Sequence, residues 1–155
     1  INIYILPLCT LVRSIRLKKG TYAKEVFLSN APLPSIIVFT NEKKFITFSL
    51  SGRAIFEMEE TCSEVISPVM MRNNNFLDYL IYGTEKGMIN IRKFPKMELI
   101  CELDTGKGKP IRTIEISSDM LFCFAWVEGE KLIVFKNKDV VTNVEDPLNR
   151  VGFTV

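Results

Sequence analysis

The sequence predicts an all-β chain built of four-stranded antiparallel sheets that recur about every 43 residues. Three observations lead there. Four short runs share one pattern, two large apolar residues flanking another: Ile3-Tyr4-Ile5, Ile46-Thr47-Phe48, Ile89-Asn90-Ile91 and Ile133-Val134-Phe135. Their first residues lie 43, 43 and 44 positions apart. No segment sustains the 3.6-residue apolar period of an amphipathic helix. The β-branched and aromatic residues concentrate in the runs, where a pleated, half-buried surface favours them.

Each element follows in order. The opening Ile1-Asn2-Ile3-Tyr4-Ile5-Leu6 reads as a strand cut from something longer, with no initiating Met and no basic region of a signal peptide. A second apolar strand precedes three of the patterned runs, at residues 35–39, 78–82 and 120–125. Polar connectors join each pair: Thr40-Asn41-Glu42-Lys43-Lys44, Gly83-Thr84-Glu85-Lys86-Gly87 and Glu128-Gly129-Glu130-Lys131. Their length and turn-forming residues suit hairpins. A third strand follows the first three runs, at 11–17, 53–58 and 96–103, and a fourth opens each next unit, at 22–28, 63–70 and 111–117.

Four strands in this period are what a blade of a WD-repeat-type β-propeller needs. Blades pack face to face, so their inner strands are apolar on both sides; residues 120–127 give the clearest case. The 155 residues supply about 3.6 such blades, where closed propellers hold roughly 4–8. The expected organisation is a partial β-propeller over residues 1–141: the third and fourth strands of one blade, two full blades and most of a last one. A C-terminal tail follows at 142–155. Such an arc is a piece of a larger ring and leaves two apolar blade faces uncovered.

Several stretches resemble the C-terminal WD-repeat propeller of BEACH-domain proteins, the neurobeachin-like branch in particular. The run Phe45-Ile46-Thr47-Phe48-Ser49-Leu50-Ser51-Gly52-Arg53 is similar to that region's strand-to-turn segment. Tyr79-Leu80-Ile81-Tyr82-Gly83-Thr84-Glu85-Lys86-Gly87-Met88-Ile89-Asn90-Ile91-Arg92 is similar to its next unit. Residues 111–119, with Glu128-Gly129-Glu130-Lys131-Leu132-Ile133-Val134, are similar to its last. The matches keep the family's order. No Trp-Asp pair is present, since Trp126 precedes Val127, so the blades are divergent. The resemblance implies a large cytoplasmic scaffold acting in vesicle and membrane trafficking, peripheral on intracellular membranes. Its propeller would be a protein-interaction platform beside a BEACH domain and the rest of the ring in the parent chain.

Composition narrows the chemistry. There is no histidine, which removes Ser-His-Asp and Cys-His catalysis, histidine-ligated metals and histidine pH switching together. Cys9, Cys62, Cys101 and Cys123 are 53, 39 and 22 residues apart, with no C-x-x-C pair for zinc or redox work. Cys123 lies in an apolar run, where a reduced thiol packs as a small hydrophobe. The spacing and the lack of a glycosylation acceptor favour a reducing compartment. A net charge of +2 is too small for a protein that works on nucleic acid. No apolar stretch reaches the length of a membrane helix.

The candidate site is a rim where strand-to-strand loops collect Lys18, Lys19, Lys43, Lys44, Lys86, Lys107 and Lys109. Such a rim suits acidic peptides or anionic headgroups. Glu42, Glu85, Glu128, Glu130 and the acidic stretch 57–60 share or adjoin it, so a mixed, solvated surface explains it more simply. Asp104-Thr105-Gly106-Lys107-Gly108-Lys109-Pro110 looks like a phosphate loop. Its glycines are wrongly spaced and a strand follows, so it reads as a flexible connection between blades. Arg13, Arg16, Lys18 and Lys19 alternate with Val12, Ile15 and Leu17 as a charged edge strand would. Asn73-Asn74-Asn75 is a polar loop.

Asp78, Asp104, Asp119 and Asp139 fall singly at strand ends, and Glu25, Glu64 and Glu115 sit at non-equivalent phases of the inner strands. No pair converges for acid–base work. The expectation is a non-catalytic scaffold with no cofactor and no metal. The alternative is a propeller subunit of another intracellular complex, a coat or a ubiquitin-ligase substrate receptor.

Overall fold

The computed structural model describes residues 1–5, 7–30, 33–72, 78–117, 121–137 and 153–154. The chain divides into two compact units, Ile1–Thr61 and Cys62–Val155. All the regular structure among the described residues is strand.

In the first unit, β1 (Asn2–Ile5) pairs with β2 (Thr10–Ser14) as a two-stranded sheet. A four-stranded antiparallel sheet follows in chain order: β3 (Ala23–Ser29), β4 (Ser35–Thr40), β5 (Lys44–Ser49) and β6 (Ala54–Glu59). Ile15, Ile36, Val38 and Phe48 form its core, with Ile1, Ile3, Leu17, Ala23 and Ile46 packed around them. The two-stranded sheet thereby stacks on the four-stranded one. β4 is buried along its whole length, and Phe39 meets Phe45 across the hairpin with ring centroids 4.9 Å apart. Burying a Phe or Ile fully contributes about 1.5–3 kcal/mol, so this hairpin anchors the unit.

The second unit holds two four-stranded antiparallel sheets. One contains β7 (Ile66–Arg72), β8 (Asp78–Gly83), β9 (Met88–Lys93) and β10 (Glu98–Asp104). The other contains β11 (Ile111–Ile116), β12 (Phe122–Val127), β13 (Leu132–Asn137) and β14 (Phe153–Thr154). They stack through Tyr79, Ile81, Ile89, Ile91 and Leu103 on one side, against Ile111, Ile114, Cys123, Ala125, Val127 and Phe135 on the other. Ser67, in a bulge of β7, ties the sheets by hydrogen bonds: its Oγ accepts from the Ile114 N–H at 2.9 Å and donates to the Ile114 carbonyl at 3.3 Å. Gly83 lets Ile111 in; a Cβ there would stand 2.8 Å from the Ile111 side chain.

The fold is thus all-β, and its four-stranded sheets are the blades of a partial β-propeller, as the repeat predicts. Three details differ from expectation. Residues 122–127 are not the strand buried on both faces: β12 alternates, with Cys123, Ala125 and Val127 inside and Trp126 52% exposed. β4 and β8 are the strands buried throughout. The apolar runs are also out of step by one. Lys43 and Gly87, both at positive φ, close equivalent turns by donating to the Thr40 and Thr84 carbonyls, and they are 44 positions apart. Ile46 and Phe48 therefore face β1–β2, whereas Ile89 and Ile91 face the following sheet. Because both faces of these strands are buried, hydropathy does not fix which face a residue takes.

Finally, β2 ends at Ser14, so Arg16, Lys18 and Lys19 lie in the loop after it and not along a strand. Within the stretch expected as a tail, Phe153 and Thr154 pair with β13. Asn73-Asn74-Asn75, Asp119 and Asp139 lie outside the described residues.

Candidate functional site

The basic rim divides between the two units. In the first, the loop after β2 meets the β4–β5 turn. The Tyr22 N–H donates to Asn41 Oδ1 at 2.8 Å, Asn41 Nδ2 donates to the Gly20 carbonyl at 3.3 Å, and Thr21 Oγ1 donates to Glu42 Oε1 at 2.6 Å. Asn41 acts as a clasp, using both ends of its amide. This brings Lys18 and Lys19 to the same end of the sheet as Lys43 and Lys44. Lys44 Nζ donates to Glu57 Oε1 at 2.9 Å. That hydrogen bond, reinforced by the charges, raises the Lys44 ammonium above its ordinary value and lowers the Glu57 carboxyl; Lys18 adds a smaller pull on Glu57. Lys18, Lys19 and Lys43 are exposed and have no salt-bridge partner among the described residues.

Beside these lysines lies a depression of about 140 Å³ that the sequence did not reveal. Its apolar lining is Leu17, Ile46, Phe48 and Ala54; Arg16, Lys18, Thr21, Glu42 and Glu57 supply the polar part. A more open hollow at the same end shares Arg16, Leu17 and Thr21 with it and continues to Ile1, Ile15, Tyr22 and Ala23. Together they form a groove with an apolar floor and both signs of charge on its walls, suited to an extended peptide that inserts one aliphatic or aromatic side chain. The residues come from four separate segments of chain, so no local motif announces them.

In the second unit, Lys86 sits exposed in the β8–β9 turn. Lys109 Nζ donates to Glu130 Oε1 at 2.9 Å and Lys107 lies 3.9 Å from Glu130 Oε2. The Lys109 hydrogen bond, then the two lysine charges, hold the Glu130 carboxyl below its ordinary value. Arg112 pairs with Glu128. Exposed pairs of this kind add little to stability, because solvent and salt screen them. The Asp104–Pro110 connection is pinned at Thr105, whose N–H and Oγ1 both donate to the Gly87 carbonyl, at 3.2 and 2.8 Å. It is followed by β11 and not by the helix a phosphate loop opens.

Glu85 points inward at the β8–β9 turn: Oε1 accepts the Ser63 N–H at 2.9 Å and Oε2 the Glu64 N–H at 3.4 Å. Partial burial pushes its carboxyl up, but these backbone donors outweigh burial and bring it below the ordinary value. Its task is to hold the segment leading into β7. Among the described residues no group of three His, Cys, Asp or Glu is placed to hold a metal ion.

Compared with known proteins, the chain matches no family model and no curated protein. Solved structures do resemble it. One is the crystal structure of BBS1N in complex with ARL6DN, soaked with lead: TM-score 0.62 and 14% identity, over 81% of this chain and 38% of that one. Another is a chain of the Mitotic Checkpoint Complex: TM-score 0.63 and 14% identity, over 87% of this chain and 41% of that one. The fold is that of WD-repeat-like β-propellers. The present chain spans about two-fifths of the length of these solved chains.

Proposed function

We propose that this chain is a non-catalytic protein-interaction segment, the C-terminal propeller portion of a BEACH-type scaffold that works in vesicle and membrane trafficking. The interaction role rests chiefly on one observation: an apolar-lined groove beside the exposed lysines Lys18, Lys19 and Lys43, at one end of a sheet. That combination suits an acidic peptide with one large apolar residue. The trafficking role is supported by the resemblance of residues 45–53, 79–92, 111–119 and 128–134 to the propeller of BEACH proteins. It carries with it a cytoplasmic location, peripheral on membranes. A second reading, a propeller subunit of a different intracellular complex, is favoured by the solved likenesses, both crystallised with other proteins.

The reading frame upstream of Ile1 separates the two. A BEACH domain encoded there supports the first; a different domain in that place overturns the trafficking role. The interaction role is tested on the full-length protein by Lys18→Glu, Lys19→Glu and Lys43→Glu together. The expected result is loss of cross-linked partners with unchanged thermal stability, and an unchanged partner set would refute the rim.

A further inference from the structure

The turn at the mouth of the groove presents a hydroxyl with cations set in front of it. Lys18-Lys19-Gly20-Thr21 is a tight turn: the Thr21 N–H donates to the Lys18 carbonyl at 3.0 Å, and Gly20 takes a positive φ of 90° at the third position. Thr21 is half-buried, and its Oγ1 donates to Glu42 Oε1 at 2.6 Å. It lines both hollows of the groove, with Arg16 in each and Lys18 in the less open one. The way in is clear, since Lys18, Lys19 and Gly20 are exposed and a Cβ on Gly20 would meet nothing within 4 Å. Cations stand two, three and five positions before Thr21, and none of residues 1–20 is acidic. Of the serines and threonines in the sequence, only Thr21 has a basic residue at both the second and the third position before it.

We propose that Thr21 is a phosphorylation site for a serine/threonine kinase that selects basic residues ahead of its acceptor, and that the phosphate turns the groove against acidic peptides. Such a kinase carries acidic groups complementary to Lys18 and Lys19. In the transfer, Thr21 Oγ1 attacks the γ-phosphorus of Mg-ATP. The bond from that phosphorus to the β,γ-bridging oxygen breaks, ADP leaves with the electron pair, and the hydroxyl proton passes to the base of the kinase. The ester oxygen then has no hydrogen for Glu42, and a group of charge about −1.5 to −2 stands where that hydrogen bond was. Glu42 is repelled, whereas Arg16 and Lys18, on the same wall, gain an anion to bond. Before the transfer two cations, Arg16 and Lys18, balance two carboxylates, Glu42 and Glu57, around the hollow. Afterwards the balance is negative, and the lysines that an acidic segment needs are taken. The effect on peptides rests on the groove being a peptide site; the modification itself does not.

The test treats the folded full-length protein with Mg-ATP and a kinase that selects basic residues two and three positions before its acceptor. Mass spectrometry is expected to find one phosphate at Thr21, retained in Thr21→Ser and lost in Thr21→Val. Lys18→Ala with Lys19→Ala should slow the transfer more than tenfold. A Thr21 left unmodified, or modified only after urea, overturns the proposal. In the phosphorylated protein, brief treatment with an amine-acetylating ester should label Lys18 and Lys19 several-fold more slowly than before, with the exposed Lys86 unchanged as reference. Equal labelling of Lys18 and Lys19 before and after overturns the switch. Neither readout uses a peptide, so a groove that binds none would sink the peptide reading and leave both results standing.

Discussion

In the interior of the second unit the Arg92 Nε donates to the Tyr82 hydroxyl oxygen at 2.8 Å. Arg92 is only 8% exposed and Tyr82 is completely buried. The guanidinium also donates through an NH group to the Met97 carbonyl at 2.9 Å, and Asn90 Nδ2 donates to the same tyrosine oxygen at 3.4 Å. A buried cation is tolerated because it is hydrogen-bonded on several sides. Tyr82→Phe keeps the ring and removes the acceptor, leaving a charged donor short of a partner. The expected loss is about 1.5–3 kcal/mol, read as a lower urea midpoint with an unchanged slope. A midpoint equal to wild type would show that the tyrosine oxygen does not hold the arginine.

Gly87 is fixed by two independent constraints. Its φ of +81° is one that side-chain-bearing residues rarely adopt, and a Cβ would come within 2.8 Å of the Lys109 carbonyl and 2.9 Å of Thr105 Oγ1. Gly87→Val should therefore strain the turn and push the Asp104–Pro110 connection off it. We expect destabilisation of more than about 1 kcal/mol, together with faster amide exchange at Thr105, whose N–H bonds the Gly87 carbonyl. Gly106, also at positive φ but with open space around it, should tolerate Asn with little change, since Asn accepts that conformation.

Thr47 is a polar residue that the core does not use. It is 1% exposed in β5 and its Oγ1 has no hydrogen-bond partner among the described residues. Thr47→Val replaces the hydroxyl with a methyl of similar shape and keeps the β-branching. The change should raise stability by about 1 kcal/mol, seen as a higher melting temperature. A fall would mean that the hydroxyl is satisfied in solution.

These contacts mark where sequence reading succeeds and where it stops. The strand pairs around Thr40–Lys43 and Thr84–Gly87 are legible because apolar runs rich in β-branched and aromatic residues flank polar turns, and local chemistry decides them. The face taken by Ile89 and Ile91 is not, because both sides of the strand are apolar and a slip of one costs no hydropathy. Trp126 misleads for a related reason: an apolar residue on an uncovered face has the same composition as one in a core. Arg92 looks like a surface cation until Tyr82 and Met97 are seen around it. Of the candidate site, the lysines are readable from their place in turns. The groove is not, since its lining residues come from segments far apart in the chain.

Acid should weaken the second unit through Glu85. Partial burial pushes its carboxyl up, but hydrogen bonds from backbone N–H groups, those of Ser63 and Glu64 among them, hold it below the ordinary carboxylate value. A depressed folded value means that the unfolded chain binds the proton first. The stabilisation is therefore complete above the unfolded value and is lost as the pH falls through the folded one. Glu85→Gln should lower the melting temperature at pH 7, and the gap to wild type should narrow as the pH drops below 4.5. A gap constant with pH would place the effect in lost packing and not in charge.

The thiols should separate by reactivity. Cys123 is completely buried in the cluster between the two sheets of the second unit. Burial pushes its thiol up to about 12, so the reactive thiolate is nearly absent at pH 8. Cys62 is also buried, whereas Cys9 is exposed. Brief iodoacetamide treatment of the native protein at pH 8 should alkylate Cys9 and leave Cys62 and Cys123 unmodified until urea opens the fold. The blocked cysteines should then react together with the loss of β-sheet circular dichroism, because only separation of the stacked sheets exposes Cys123. Alkylation of Cys123 before that transition would mean that the contact between Ile81, Ile91 and Ala125 opens locally, and that the two sheets are not one cooperative core.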